Sequence, residues 1–323
     1  MPTKKPTRKS RILDASLMVT TSVFLVSLAF LAAITLSGTS SGTGLGAASY
    51  AGAPVDAAPE SKPQGLPGQT PVTEAPSVTT VRPSNETMPP ANKAAGILVF
   101  VIDDVGHNTW QLQPFLDLPF PVTLSVLPGL PLTRESSAMV RKAGKELMLH
   151  QPMEALNGLD PGPGAIRADM DDDIIRQTLR QNLAQVAGAA GMNNHMGSKA
   201  TSDSRVMSTI LDETAAAGIY FLDSLTVGDS VVHSVASLMR QSTWERTVFL
   251  DNTPDKASIM HYIAEGTKTA EKRGYAIMIG HVWSAQLAQT LADLYPSLVE
   301  QGFSLSTISR IMMDADDDDD SGD

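Results

Sequence analysis

The sequence predicts an α/β fold: seven or eight parallel strands, each followed by a helix, closing or nearly closing into a barrel. Three observations predict it. Between Gly96 and Met312 short apolar runs alternate with segments of helical period. Most runs start about 24 to 29 residues apart, the length of a βα unit. The runs also carry the character of parallel strands buried on both faces, and seven or eight such units favour a barrel over an open sheet. No glycine-rich phosphate loop follows the first run, which weakens a dinucleotide-binding fold.

The runs begin at Ile97 (ILVFVI), Val122 (VTLSV), Glu146 (ELMLH), Met192 (MNNHM), Ile219 (IYFLD), Val248 (VFLD), Ala276 (AIMIG) and Phe303 (FSLS). The interval from Leu149 to Met192 is longer because Pro161-Gly162-Pro163-Gly164 precedes a helix led by Asp171, Asp172 and Asp173, acids that suit a helix N-terminus. Asp251-Asn252-Thr253-Pro254 reads as a cap before a helix starting near Asp255. His233 and His261 fall in predicted helices, as surface or packing residues. An aromatic share of 5% predicts an aliphatic core with methionine as filler.

The flanks are of another kind. Residues 1–14 carry Lys4, Lys5, Arg8, Lys9 and Arg11, and residues 15–36 form a 22-residue run without charge. A helix needs roughly 20 apolar residues to cross about 30 Å of hydrocarbon, so the run is expected to be an uncleaved transmembrane anchor, the alternative being a signal segment cleaved near Gly46-Ala47-Ala48 or Ala51-Gly52-Ala53. The basic start places the N-terminus in the cytoplasm and the chain beyond Leu36 in the periplasm or outside the cell. Residues 37–95, rich in Pro, Gly, Ser, Thr and Ala, predict a disordered tether, and residues 313–323 an acidic solvated tail.

The 24 Lys and Arg against 35 Asp and Glu give a net charge of -11, seven of it in the final run of aspartates. That balance argues against binding a nucleic-acid backbone. With no cysteine in the chain, disulfides, iron-sulfur clusters and thiol nucleophiles are excluded.

In a parallel barrel, catalytic groups collect at the C-terminal ends of the strands. Here those ends read Asp103-Asp104, His150, Asn193-Asn194-His195, Asp223-Ser224, Asp251-Asn252 and His281, a clustering that predicts one shared site. Two neighbouring carboxylates repel, and a divalent cation is the usual way to keep one ionised while the other serves as a base. With His150 and His195, an Asp-His-His set with an open position fits catalytic zinc. Trp110 and Trp283 follow strand ends by a few residues and are placed to stack on sugar rings or to be buried. His107 lies just beyond the aspartate pair.

VIDDVG (101–106), LMLHQPME (147–154), GMNNHMGS (191–198), FLDSLT (221–226) and VFLDN (248–252) together resemble the divergent polysaccharide deacetylase family, a distant relative of the NodB-type carbohydrate esterases. The resemblance covers about Gly96 to Met312. It implies a distorted (β/α) barrel and metal-dependent removal of N-acetyl groups from a glycan, peptidoglycan being one candidate. It further implies Asp103 as base, Asp104 as metal ligand and His281 as general acid. The NodB-type pattern has two histidines four residues apart, where this chain has His150 and Glu154. His195 is therefore recruited as the third ligand beside Asp104 and His150. Glu154, Asn193, Asn194, Asp223 and Asp251 are expected to bind substrate or support the ligands, the two asparagines serving equally well in a turn. The departure at Glu154 keeps open a barrel that binds glycan, or regulates another envelope enzyme, without turnover.

Overall fold

The computed structural model describes residues 94–313. The basic segment, the apolar run, the tether up to residue 93 and the acidic tail from residue 314 lie outside the described residues. Strands and helices alternate as β1 (Gly96–Val105), α1 (Gln113–Leu116), β2 (Thr123–Val126), α2 (Thr133–Lys142), β3 (Glu146–Met153), α3 (Asp172–Leu183), β4 (Gly191–Met196), α4 (Ser204–Ala217), β5 (Tyr220–Asp223), α5 (Val232–Met239), β6 (Trp244–Glu245), β7 (Val248–Phe249), α6 (Lys256–Arg273), β8 (Tyr275–His281), α7 (Ala285–Glu300) and β9 (Phe303–Ser306). Asp255, rather than Asp251, caps α6, accepting from the Ser258 N–H. Among the described residues no helix is long and apolar enough to cross a membrane.

Eight strands form a curled parallel sheet in the order β6-β5-β4-β3-β2-β1-β8-β7. The curled sheet is consistent with the expected distorted, nearly closed barrel, and two of its features go beyond the spacing of the runs. Its edges, β6 and β7, are not hydrogen-bonded to each other but are joined through Arg246-Thr247: the Arg246 N–H donates to Asp223 O on one edge and the Thr247 N–H to Ile277 O on the other. One short stretch must serve both edges, so the single strand expected at Val248 becomes two strands of two residues. The last strand also does not extend the ring. β1 has ten residues but meets β2 only from Val101 onward, and β9 covers the edge left open at Gly96 to Val99.

Side chains alternate across a strand. Leu98, Phe100 and Ile102 face the main core under the helices, while Val99 and Val101 join Met148, Leu222, Ile277 and Ile279 inside the curl. Ile308, just after β9, plugs the lower end of that interior, and Ser309 beside it donates to the Glu146 carboxylate, which also accepts from Thr123 and Tyr220. Above that plug apolar side chains line the interior, and the next inward positions upward are polar: Asp103 on β1, His150 on β3, Asn193 on β4 and His281 on β8.

Candidate active site

Two aspartates in succession on a regular strand point to opposite faces. Here the pairing of β1 with β2 shifts register between Ile102 and Val105, and Asp104 takes a left-handed backbone with φ 63°. Such a bulge re-aims a side chain, at a conformational cost that aspartate bears better than most residues. Both carboxylates consequently reach the mouth of the curl.

Asp104 Oδ1 lies 3.0 Å from His195 Nδ1 and 3.3 Å from His150 Nε2, and those nitrogens are 3.1 Å apart. His150 Nδ1 faces Asn193 Oδ1 at 2.8 Å. The amide orientation is set by its neighbours: its NH2 donates to both Asp103 oxygens at 2.9 and 3.1 Å, and its oxygen accepts from Ser125 at 2.5 Å. Nδ1 of His150 must therefore carry a proton, so that Nε2 holds a second proton in the charged ring and presents a lone pair in the neutral one. Asp104 Oδ1 is buried and receives no well-directed hydrogen bond. With that ring neutral, three donor atoms so converge with too few protons between them. Ligands about 2.1 Å from a tetrahedral zinc stand about 3.4 Å from each other, close to the separations here, so the residues fit a divalent cation. Asp104, His150 and His195 are the one such group of three among the described residues.

Asp103 stands beside this group, 2% exposed, with His150 Nδ1 at 3.7 Å. Burial pushes its carboxyl above the usual range against the pull of His150, His281 and the Asn193 amide. Burial also works on Asp104, but the contacts with His150 and His195 outweigh it and hold that carboxyl well below the usual range. On β8, His281 Nδ1 donates to Asp251 Oδ1 at 2.9 Å, and Asp251 Oδ2 accepts from the His281 backbone N–H at 2.8 Å. Burial opposes a charge on this imidazole, yet Asp251 prevails, helped by Asp104 and Asp103, and carries its pKa up to about 9.

The other expected residues fall outside this arrangement. β3 ends at Met153, and the Glu154 carboxylate accepts from the Lys199 ammonium and the Ala168 N–H, so it supplies no substitute ligand. Asn194, one residue out of phase with Asn193, ties β4 to β5 by donating to Met196 O and accepting from the Ser224 N–H. Asp223 is likewise out of phase with the interior and builds the turn after β5, accepting from the Leu225 N–H and from Ser230. Burial is the fate of neither tryptophan: Trp110 is 70% and Trp283 46% exposed.

Ser125 and Arg246 are not among the expected residues, and Ser224 and Trp283, which are, make contacts that local pattern does not announce. Ser125 and Ser224 both meet the Asn193 amide, and an inward polar position in an apolar strand is the available signal for Ser125. Arg246 lies 3.8 Å over the Phe249 ring and donates to Ser224 O and Leu225 O. The Trp283 N–H donates to Asp104 Oδ2 at 3.0 Å, a contact across 179 residues that no local pattern announces.

A family model described as divergent polysaccharide deacetylase matches residues 100–312. The chain belongs to this family. Among its relatives, the uncharacterized protein YibQ of Escherichia coli K12 is 32% identical over 207 residues, 63% of this chain and 65% of that one. An uncharacterized protein of Haemophilus influenzae is 29% identical over 184 residues, 57% of this chain and 66% of that one. The chain thus spans less than two thirds of either relative. The crystal structure of ATU2773 from Agrobacterium tumefaciens C58, also uncharacterized, shares the fold, with a TM-score of 0.64 at 19% identity over 69% of this chain and 92% of that one.

Proposed function

We propose that this divergent polysaccharide deacetylase removes acetyl groups from an N-acetylated envelope glycan with the help of a divalent metal. The observation that carries the reading is the convergence of Asp104, His150 and His195 beside a buried carboxylate held by the Asn193 amide on one side and a carboxylate-backed imidazole on the other. Two imidazoles and one carboxylate suit zinc. When bound, such an ion lowers the pKa of water and polarises a carbonyl oxygen.

The chain's own residues supply the rest. Asp103, raised by burial and steadied by the Asn193 amide, takes a proton from the attacking water. His281, protonated through its pairing with Asp251, delivers a proton to the departing amine nitrogen. Asn193 holds the base through its NH2 and the His150 tautomer through its oxygen, so one side chain orients both.

The basic start and the 22-residue apolar run support a membrane-attached barrel facing away from the cytoplasm, where envelope glycan is found. The deciding experiment is acetate release from N-acetylglucosamine oligomers and peptidoglycan fragments, before and after chelation. Release that stops on chelation and returns with zinc is expected. Glycan binding without any release would favour the non-catalytic barrel that the departure at Glu154 left open.

A further inference from the structure

Trp283 sits two residues beyond β8 and is 46% exposed, so burial alone does not account for an indole there. It makes two specific contacts instead. Its N–H donates to Asp104 Oδ2, and its face stacks on the His281 imidazole, 4.9 Å between centroids at an interplanar angle of 18°. On the inner side of the site His281 also stacks with Phe249, 5.8 Å away at 21°. The indole N–H is a donor only, so it can hold a carboxylate oxygen but never coordinate a cation.

We propose that Trp283 is a positioning residue that keeps Asp104 a one-oxygen ligand and fixes the plane of the general acid His281. This rests on the deacetylase reading above. With Oδ2 held by the indole, only Oδ1 faces the two histidine nitrogens, and a coordination position is left for water and substrate, as a catalytic metal site requires. Freed of the indole, the carboxylate can close on the ion with both oxygens and fill that position. The same ring couples the metal-binding half of the site to the proton-donating half, so only mutation separates the two contacts.

The test uses the full-length protein, its Trp283→Phe variant, which keeps a stacking ring and loses the donor, and Trp283→Gln, which keeps a donor and loses the ring. Cobalt(II) is titrated by its visible absorption, and kcat, KM and the metal-free melting temperature are measured beside it. Trp283→Phe should keep the melting temperature, bind cobalt about tenfold more weakly, the usual effect of losing a ligand's hydrogen-bond partner, and show a weaker, shifted band as the coordination number rises. Trp283→Gln should keep near-native cobalt binding and lose kcat with little change in KM. A Trp283→Phe protein with native affinity and spectrum, or a Trp283→Gln protein as weak in cobalt binding as Trp283→Phe, overturns the ligand-holding role. Native kcat in Trp283→Gln overturns the stacking role. Both results leave the deacetylase reading standing, whereas a wild-type protein that binds no cobalt and no zinc removes both.

Discussion

At the scale of single residues the site divides its labour among groups whose environments differ. Asp103 and Asp104 are chain neighbours, yet burial raises one carboxyl while two imidazoles lower the other. Replacing Asp103 by Asn keeps the shape and removes the basicity, so the metal should stay bound, by elemental analysis, while turnover falls by roughly 10² to 10⁴. Asp104→Ala and His195→Ala should each lose most of the metal in the same measurement. For His281 the sign comes from a folded-state pKa raised from 6.5 to about 9. Its charged form, and the stability its ion pair adds, is fully present below the unfolded value and is lost as pH rises through about 9. The Asp251 contribution does not depend on the metal, so the alkaline limb of kcat/KM is expected above the ordinary imidazole range, and Asp251→Asn should move that limb to lower pH in a pH-rate profile.

Secondary-structure elements decide which of these residues meet. Alternation along β1, β3, β4 and β8 puts Asp103, His150, Asn193 and His281 inward, and the same rule turns Asn194 and Asp223 away. The strands approach closely where a side chain is missing. A Cβ on Gly191, at the start of β4, would stand 2.3 Å from the Tyr220 ring of β5. That ring is buried and held by its hydroxyl on Glu146, so it has little room to yield. Gly191→Ala should accordingly destabilise the fold by about 1 to 3 kcal/mol in urea denaturation, the usual cost of overpacking. Its effect on metal affinity should be small, because β4 presents Asn193 and His195 from its other end.

For the molecule as a whole, the sheet needs only a two-residue chain crossing to bring its edges together, and Ile308 fills the lower mouth of the interior. Residues 96–312 hold every group assigned to the chemistry, so a fragment of those bounds should bind about one divalent metal per chain. The preceding residues bear on where that chemistry happens. Fractionation with protease protection should find full-length protein with the membrane and its barrel open to protease from the outer side. Full-length protein recovered from the cytoplasm would remove the envelope glycan as substrate.

Local sequence pattern was enough to establish the βα alternation, the start of eight of the nine strands to within about two residues, and the gathering of acids and imidazoles at strand ends. Period, spacing and the residues that end an apolar run are all read within a few positions of one another. Five ordered motifs were enough to establish the family as well. Long-range packing settled what local pattern cannot carry. A bulge, not alternation, turned Asp104 to the same mouth as Asp103. Pairing of β3 with β4 brought His195 beside His150 and Asp104, while Glu154 was drawn to Lys199. Asp251 became the partner of His281 rather than a helix cap, and Trp283 reached Asp104, because each contact joins residues that are neighbours only once parallel strands lie side by side.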